Sequence, residues 1–180
     1  GAGFEFVDHV KGGVIPGVFM PAVEKGVRQA LADGVLAGFP VEDLRVTVFD
    51  GKTHSVDGKE VAFFSAGRKA AAEAIRRASP IVLEPMVDIH ILAPDPSIGD
   101  LTGDLAARRG HVTGTEGRGP GTTAISAQVP LAEINEYQSR LKSLTGGRGA
   151  YDVSFSHYAQ VPPGVQQHLA SQFKGAADED

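Results

Sequence analysis

Residues 84–93 (EPMVDIHILA) alternate apolar and polar positions with the period of a strand, and the run stops at Pro94. Pro96 and Ser97 then open a helix whose apolar positions Ile98, Leu101 and Leu105 recur at helical spacing. Arg108 and Arg109 fall in its last turn, where cations suit the negative end of the helix dipole, and Gly110 follows. Two strand-like runs, 111–116 and 122–129, are joined by GRGPG, a turn in which glycine supplies positive φ. Pro130 precedes a second helix with Leu131, Ile134, Leu141 and Leu144 on one stripe and Gly146 past its end. A last strand, 150–158, carries Tyr151, Val153 and Phe155 on one face. The order βαββαβ is that of the ferredoxin-like split βαβ unit, two helices over a four-stranded antiparallel sheet.

The first half predicts a strand at 4–10, a helix at about 19–33, a strand at 41–50 and a helix at about 59–79. Pro21 suits the start of the first helix and Gly34 its end, with Ala22, Val23, Gly26, Val27, Ala30 and Leu31 as the buried stripe. In the second helix Ala62, Ala66, Ala70, Ala74 and Ala78 repeat every four residues beside Phe63 and Ile75, a face small enough to lie close against a sheet. Two strands are a thin cover for two helices. The chain does not begin with Met. Further strands are therefore expected upstream. The helix is expected to end at Pro80, which places a boundary near residues 79–83.

Composition narrows the classes. The 180 residues are 42% hydrophobic, ordinary for a globular protein, and no apolar run is long enough to span a bilayer. No basic stretch leads into an apolar one, so no secretory signal is expected. The absence of cysteine excludes disulfides and thiolate sites and fits a cytoplasmic protein. The net charge of −5 argues against a global basic field for nucleic acid. Residues 1–80 are neutral, with ten basic and ten acidic side chains, so any RNA contact must come from local patches. The segment 173–180 ends in Asp178-Glu179-Asp180 and is expected to be a disordered acidic tail.

Catalytic signatures are sparse. There is no GxxxxGK[ST] loop for nucleotide phosphates and no GxSxG elbow. His9, His54, His90, His111, His157 and His168 show neither HxxxH nor HExxH spacing. Glu84 and Asp88 share a strand face but have no basic neighbour in sequence, which makes them a poor catalytic pair.

Several segments together resemble one family. GGVIPGVFMPAVEKG (12–26) and GFPVEDLRVTVFDGKTHSVDGKEVAF (38–63) resemble domain IV of elongation factor G. LEP (83–85), GDLTGDLAARRG (99–110), VPLAE (129–133), LKSLTGGRG (141–149) and FSHY (155–158) resemble its domain V, in order and spacing. The resemblance covers residues 3–169. It implies an α+β chain of two two-layer α/β sandwiches. Residues 1–82 would be a ribosomal protein S5 domain 2-like domain IV lacking upstream strands, and residues 83–172 a ferredoxin-like domain V with a C-terminal helix.

The same resemblance implies a ribosome-binding part of a translational GTPase that promotes translocation of tRNA and mRNA in the cytoplasm. This part would not itself be an enzyme. GTP and Mg are expected on an N-terminal G domain outside this chain. The implied partners are ribosomal RNA, tRNA and mRNA at the decoding site, proteins at the stalk base, and the parent's G domain and domain III; no membrane is implied. Four departures stand out. Asp57-Gly58-Lys59-Glu60 replaces the family's Asp-Ser-Ser-Glu, Phe19 replaces Tyr, Ile134-Asn135-Glu136-Tyr137 replaces Met-Phe-Gly-Tyr, and Leu141-Lys142-Ser143 replaces Leu-Arg-Ser. They leave open a divergent copy acting in recycling, rescue or ribosome protection.

His54, in the polar loop DGKTHSVDGKE, is the first candidate contact, with Asp57, Gly58 and Lys59 beside it. A histidine there can stack on a base or bond a phosphate or 2′-hydroxyl, or be an ordinary loop residue. Arg68, Lys69 and Arg76 fall on one side of the second helix and offer contacts to RNA backbone, the alternative being a solvated helix face. Arg108, Arg109 and Arg148 either serve the second domain in the same way or cap helix ends and turns. Two other classes compete. A metabolite kinase shares the first topology but needs a Gly/Ser-rich phosphate loop. A stand-alone RNA recognition motif needs aromatic residues on its strands, and residues 111–116 (HVTGTE) offer none.

Overall fold

A computed structural model describes residues 2–53 and 59–173; the candidates His54, Asp57 and Gly58 lie outside them. The chain divides into two compact units, residues 1–82 with 162–180, and residues 83–161. Both are α+β and two-layered, as expected.

In the first unit, β1 (Glu5–Asp8) pairs in parallel with β2 (Arg45–Val48). Parallel neighbours need a crossover. Helix α1 (Met20–Asp33) supplies it, with Pro21 in its first turn and Gly34 past its end at φ 70°. All six positions expected on its buried stripe are buried. Helix α2 (Glu60–Arg77) lies beside α1, but not by the face expected. Its buried residues are Phe63, Gly67 and Ala71, while Ala62, Ala66, Ala70, Ala74 and Ala78 are all exposed. The orientation of α2 follows its contact with α1. Phe63 stacks on Phe19 at 4.4 Å between centroids, and the Gly67 backbone closes on Val23. A four-residue repeat also precesses around a 3.6-residue helix, so the alanine row drifts off any single face. Both strands are shorter than their sequence patterns, and the segment 41–44 leads into β2 as irregular chain.

In the second unit, β3 (Leu83–Pro94) is central, flanked by β5 (Thr122–Pro130) and β6 (Ala150–Gln160), with β4 (His111–Gly119) outside β5. All pairings are antiparallel, giving the order β4-β5-β3-β6 of the ferredoxin-like fold. Strand β4 runs through most of GRGPG, which the sequence assigns to a turn. Register shifts at Val112/Gly114 and Gly117/Gly119 absorb the extra residues, leaving only Pro120 and Gly121 between the strands. Helix α3 (Ile98–Ala107) and helix α4 (Tyr137–Thr145) cover one face. Ile89, Ile91, Leu101, Leu105, Ile125, Val129 and Leu141 are 0–1% exposed. Each contributes about 1.5–3 kcal/mol by leaving water.

The helix expected from 131 to 144 is broken. Residues Leu131–Ile134 form a 3-10 turn, Asn135 is extended, and Glu136 takes the left-handed conformation at φ 60°, ψ 19° before α4 begins. Glu136 stands where the family pattern has glycine. Glu136→Gly is therefore expected to raise the stability of this unit by about 0.5–1 kcal/mol, the left-handed cost less the greater unfolded-state entropy of glycine. A lower denaturation midpoint would show instead that the Glu136 side chain holds something in place.

The C-terminal helix α5 (Pro163–Gln172), expected with the second domain, packs in the first unit. Gln166 Oε1 accepts a hydrogen bond from Val82 N at 2.9 Å, and the Phe173 ring lies against Gly38.

Candidate nucleic-acid interface

Helix α2 carries four of the sequence candidates, and the fold treats them differently. Lys59 sits at its N-cap and is exposed. Lys69 and Arg76 are also exposed, and seven residues apart they stand nearly in line along the helix. Arg76 reaches Glu73 only at 3.9 Å, a weak surface pair that leaves its guanidinium available. Arg68 is different. It turns toward α1, where its Nη2 donates to Asp33 Oδ2 at 2.8 Å, and is about one-third exposed. The shared side read from the sequence thus holds for Lys69 and Arg76, while Arg68 ties the two helices together.

Arg108 and Arg109 are drawn into a charged network just past the end of α3. The Arg109 Nη1 and Nη2 donate to both Glu84 carboxylate oxygens at 2.6 and 2.9 Å, and its Nε donates to Glu133 Oε1 at 3.0 Å. The hydrogen bonds Arg109 donates to Glu84 are the largest influence on it and push its pKa further up, against burial. Its backbone is left-handed, φ 60°, at a helix end that usually takes glycine. Only arginine among the cations has a planar fork that meets one carboxylate with two bonds and a second with a third. Arg108 donates to Asp104 Oδ2 at 2.8 Å and to the Glu133 carbonyl at 2.6 Å, and lies 5.3 Å from the Tyr137 ring centroid. Asp104 also accepts from Arg140 at 2.7 Å. Burial would raise the Asp104 carboxyl, but the two arginines outweigh it and hold its pKa below the ordinary value.

Glu84 thus has the basic partner that the sequence does not reveal, because Arg109 is 25 residues away. Asp88 is not paired with it and instead accepts from Gln128 Nε2 at 2.9 Å. These arginines serve the second unit internally. Arg148 does not. It projects, exposed, from the turn after α4, whose backbone is held by Gly146 at φ 59° and by Gly149 N donating to Thr145 Oγ1 at 2.9 Å.

Tyr137, absent from the sequence candidates, is fully buried, and among the described residues its hydroxyl has no hydrogen-bond partner. Burial pushes its pKa up to about 12. The folded state therefore favours the neutral phenol. That contribution is complete below the ordinary pKa of about 10 and is lost as pH rises through the 10–12 window. Alkaline titration of unfolding is expected to show that loss, and Tyr137→Phe to remove it while stabilising by about 1 kcal/mol at neutral pH.

The remaining polar surface of the central strands is internally satisfied, His90 Nδ1 lying 3.1 Å from Ser126 Oγ and Gln128 bridging Asp88 and Ser156. Beside the exposed His90 ring it presents hydroxyls, amides and carboxylates. Among the described residues no helix is long and apolar enough to cross a membrane.

Two family models match the chain in succession. "Elongation factor G, domain IV" matches residues 1–79, and "Elongation factor G C-terminus" matches residues 81–169. An elongation factor G of Aquifex pyrophilus is 47% identical over 175 residues, covering 97% of this chain and 24% of that protein. An elongation factor G-like protein of Thermotoga maritima is 42% identical over 172 residues, covering 96% and 25%. A crystal structure of a Thermus thermophilus protein matches with a TM-score of 0.74 at 42% identity, over 94% of this chain and 26% of that one. The chain therefore spans about a quarter of the length of these relatives.

Proposed function

The chain belongs to the elongation factor G family, carrying its domain IV and its C-terminal domain, and we propose that it is the ribosome-binding arm of a translational GTPase that drives translocation of tRNA and mRNA. The observation that carries this reading is the uninterrupted, collinear match of both domains over nearly the whole chain, at 47% identity to a named elongation factor G. GTP and Mg are assigned to a G domain elsewhere in the longer protein, in the cytoplasm. Lys59, Lys69 and Arg76 on α2, with Arg148 on the second unit, are the contacts to RNA backbone that the side-chain geometry supports. Arg68, Arg108 and Arg109 act indirectly, by holding α2 and the second unit in shape.

Ribosome co-sedimentation of the longer protein with a non-hydrolysable GTP analogue tests this. Charge reversal at Lys69 and Arg76 is expected to weaken binding and flatten its salt dependence, each lost phosphate contact lowering the log–log slope by about one. Unchanged binding and translocation with both charges reversed would overturn the α2 assignment. The Gly-Lys pair at positions 58–59, where the family has Ser-Ser, favours a second reading in which the parent recycles, rescues or protects ribosomes. A translocation assay separates the two, since a recycling factor splits subunits without moving mRNA.

The outer edges of the two-stranded sheet fit additional strands from the longer protein, which would cover them. Amides of Glu5–Asp8 are then expected to exchange more slowly there than in this chain alone.

A further inference from the structure

An open depression of about 540 Å³ lies between the first turns of α1 and α2, lined by Ala22, Lys25, Lys59, Glu60, Val61 and Phe64. Its volume is in the range of small-ligand sites, roughly 300–1,000 Å³. The lining divides by chemistry. Ala22, Val61 and Phe64 give an apolar floor, with Val61 left 74% exposed at the helix surface. Lys25 and Lys59 stand at the rim, both exposed, and among the described residues neither ammonium is paired with a carboxylate. Glu60 is the single acid in the lining and leaves an excess of one positive charge. The two walls cannot drift apart freely. Just behind the depression the helices close at Gly26 and Gly67, where an added Cβ would meet opposing backbone at 2.1 and 2.6 Å. The shape is thus held by packing independent of any ligand.

We propose that this depression receives one unpaired nucleobase of RNA, stacked on the Phe64–Val61 floor, with the flanking phosphates on Lys25 and Lys59. The proposal rests on the ribosome-binding reading and names where a single strand would meet the first unit. A flat apolar body with anionic groups on either side matches an apolar floor between two unpaired ammoniums. Single-strand sites elsewhere combine the same two elements, an aromatic platform and a cationic track. An aliphatic side chain of a protein partner would fill the floor but leave both ammoniums unsatisfied. A base paired within a duplex could not turn its face into the depression.

Val61 is the position to test, because at 74% exposure its replacement does not disturb the core. In the full-length protein, Val61→p-benzoylphenylalanine is irradiated in the ribosome complex formed with a non-hydrolysable GTP analogue. The adduct is expected to be RNA. An adduct with protein alone, or none in a complex that forms, overturns the proposal while leaving ribosome binding intact. If no complex forms, the ribosome-binding reading fails, and the depression is judged on the free protein with a short unstructured oligouridine. There Val61→Glu is expected to weaken binding roughly 10-fold, and Ala62→Glu, one residue on and outside the lining, to leave it unchanged. Equal affinities for wild type and Val61→Glu, equal losses from both substitutions, or no binding at all, overturn it. Lys25→Gln is expected to lower the log–log salt slope by about one; an unchanged slope removes the phosphate role.

Discussion

Gly26→Ala is expected to unfold the first unit at a denaturant concentration that leaves the second intact. An alanine Cβ at position 26 would sit 2.1 Å from the Phe64 carbonyl oxygen and 2.9 Å from Arg68 N, and one at Gly67 would sit 2.6 Å from the Val23 carbonyl oxygen. All these neighbours are backbone, so relief requires moving one helix relative to the other. Helix propensity favours alanine over glycine by about 1 kcal/mol, so an exposed helix position would gain. Here overpacking wins, at a net cost of about 3 kcal/mol. Separating the helices also pulls apart the Phe19–Phe63 stack and the Arg68–Asp33 pair.

The chain provides its own reporter. All three tyrosines, 137, 151 and 158, are in the second unit, and there is no tryptophan. Far-ultraviolet dichroism should therefore lose helix early while the tyrosine fluorescence midpoint stays put. Ala66→Gly, on the exposed row of α2, serves as the control and should cost only about 1 kcal/mol. If Gly26→Ala melts with the wild-type midpoint, the close crossing of α1 and α2 is not a constraint on the fold.

The second large effect is expected at Arg109, read by the same tyrosine signal. Arg109→Leu leaves the Glu84 side chain, 12% exposed, and Glu133 facing each other without their shared cation. Removing one partner of a fully buried pair costs about 3–5 kcal/mol. The 31% exposure of the Arg109 side chain reduces this to roughly 2–3 kcal/mol, since water screens part of the orphaned charge. Adding Glu84→Gln should recover a measurable part, because the residual penalty is the unpaired carboxylate. Arg109→Lys should recover little, since an ammonium cannot make the two-pronged contact. Arg108→Leu should cost less, because Asp104 keeps its hydrogen bond from Arg140. Equal losses at both arginines would refute the distinction drawn between them.

These expectations recast the basic residues that the sequence offers as RNA contacts. Sequence spacing puts Arg68, Lys69 and Arg76 on one helix face, but it carries no information on which neighbour lies within reach. Asp33 is 35 positions from Arg68, and Glu84 is 25 from Arg109, so neither pairing leaves a periodic trace. What remains exposed and weakly committed is Lys59, Lys69, Arg76 and Arg148, to which the structure adds Lys25. The tip residues His54, Asp57 and Gly58 lie outside the described residues.

The element order, the buried stripe of α1, the ferredoxin-like order of the second unit and the family are all legible in the amino-acid order alone. Each of these depends on local periodicity, on turn chemistry, or on motifs in a fixed order. Which face of α2 is buried emerges only in the folded chain, because glycines on two helices set that contact and a row of alanines fits equally well against neighbour or solvent. The break at Glu136 in the helix after Pro130 emerges there too, since the burial of Tyr137 and Ile134 outweighs the local cost of a left-handed glutamate. The division of the arginines belongs with these, because contacts distant in sequence fix whether a cation goes to carboxylate or to solvent.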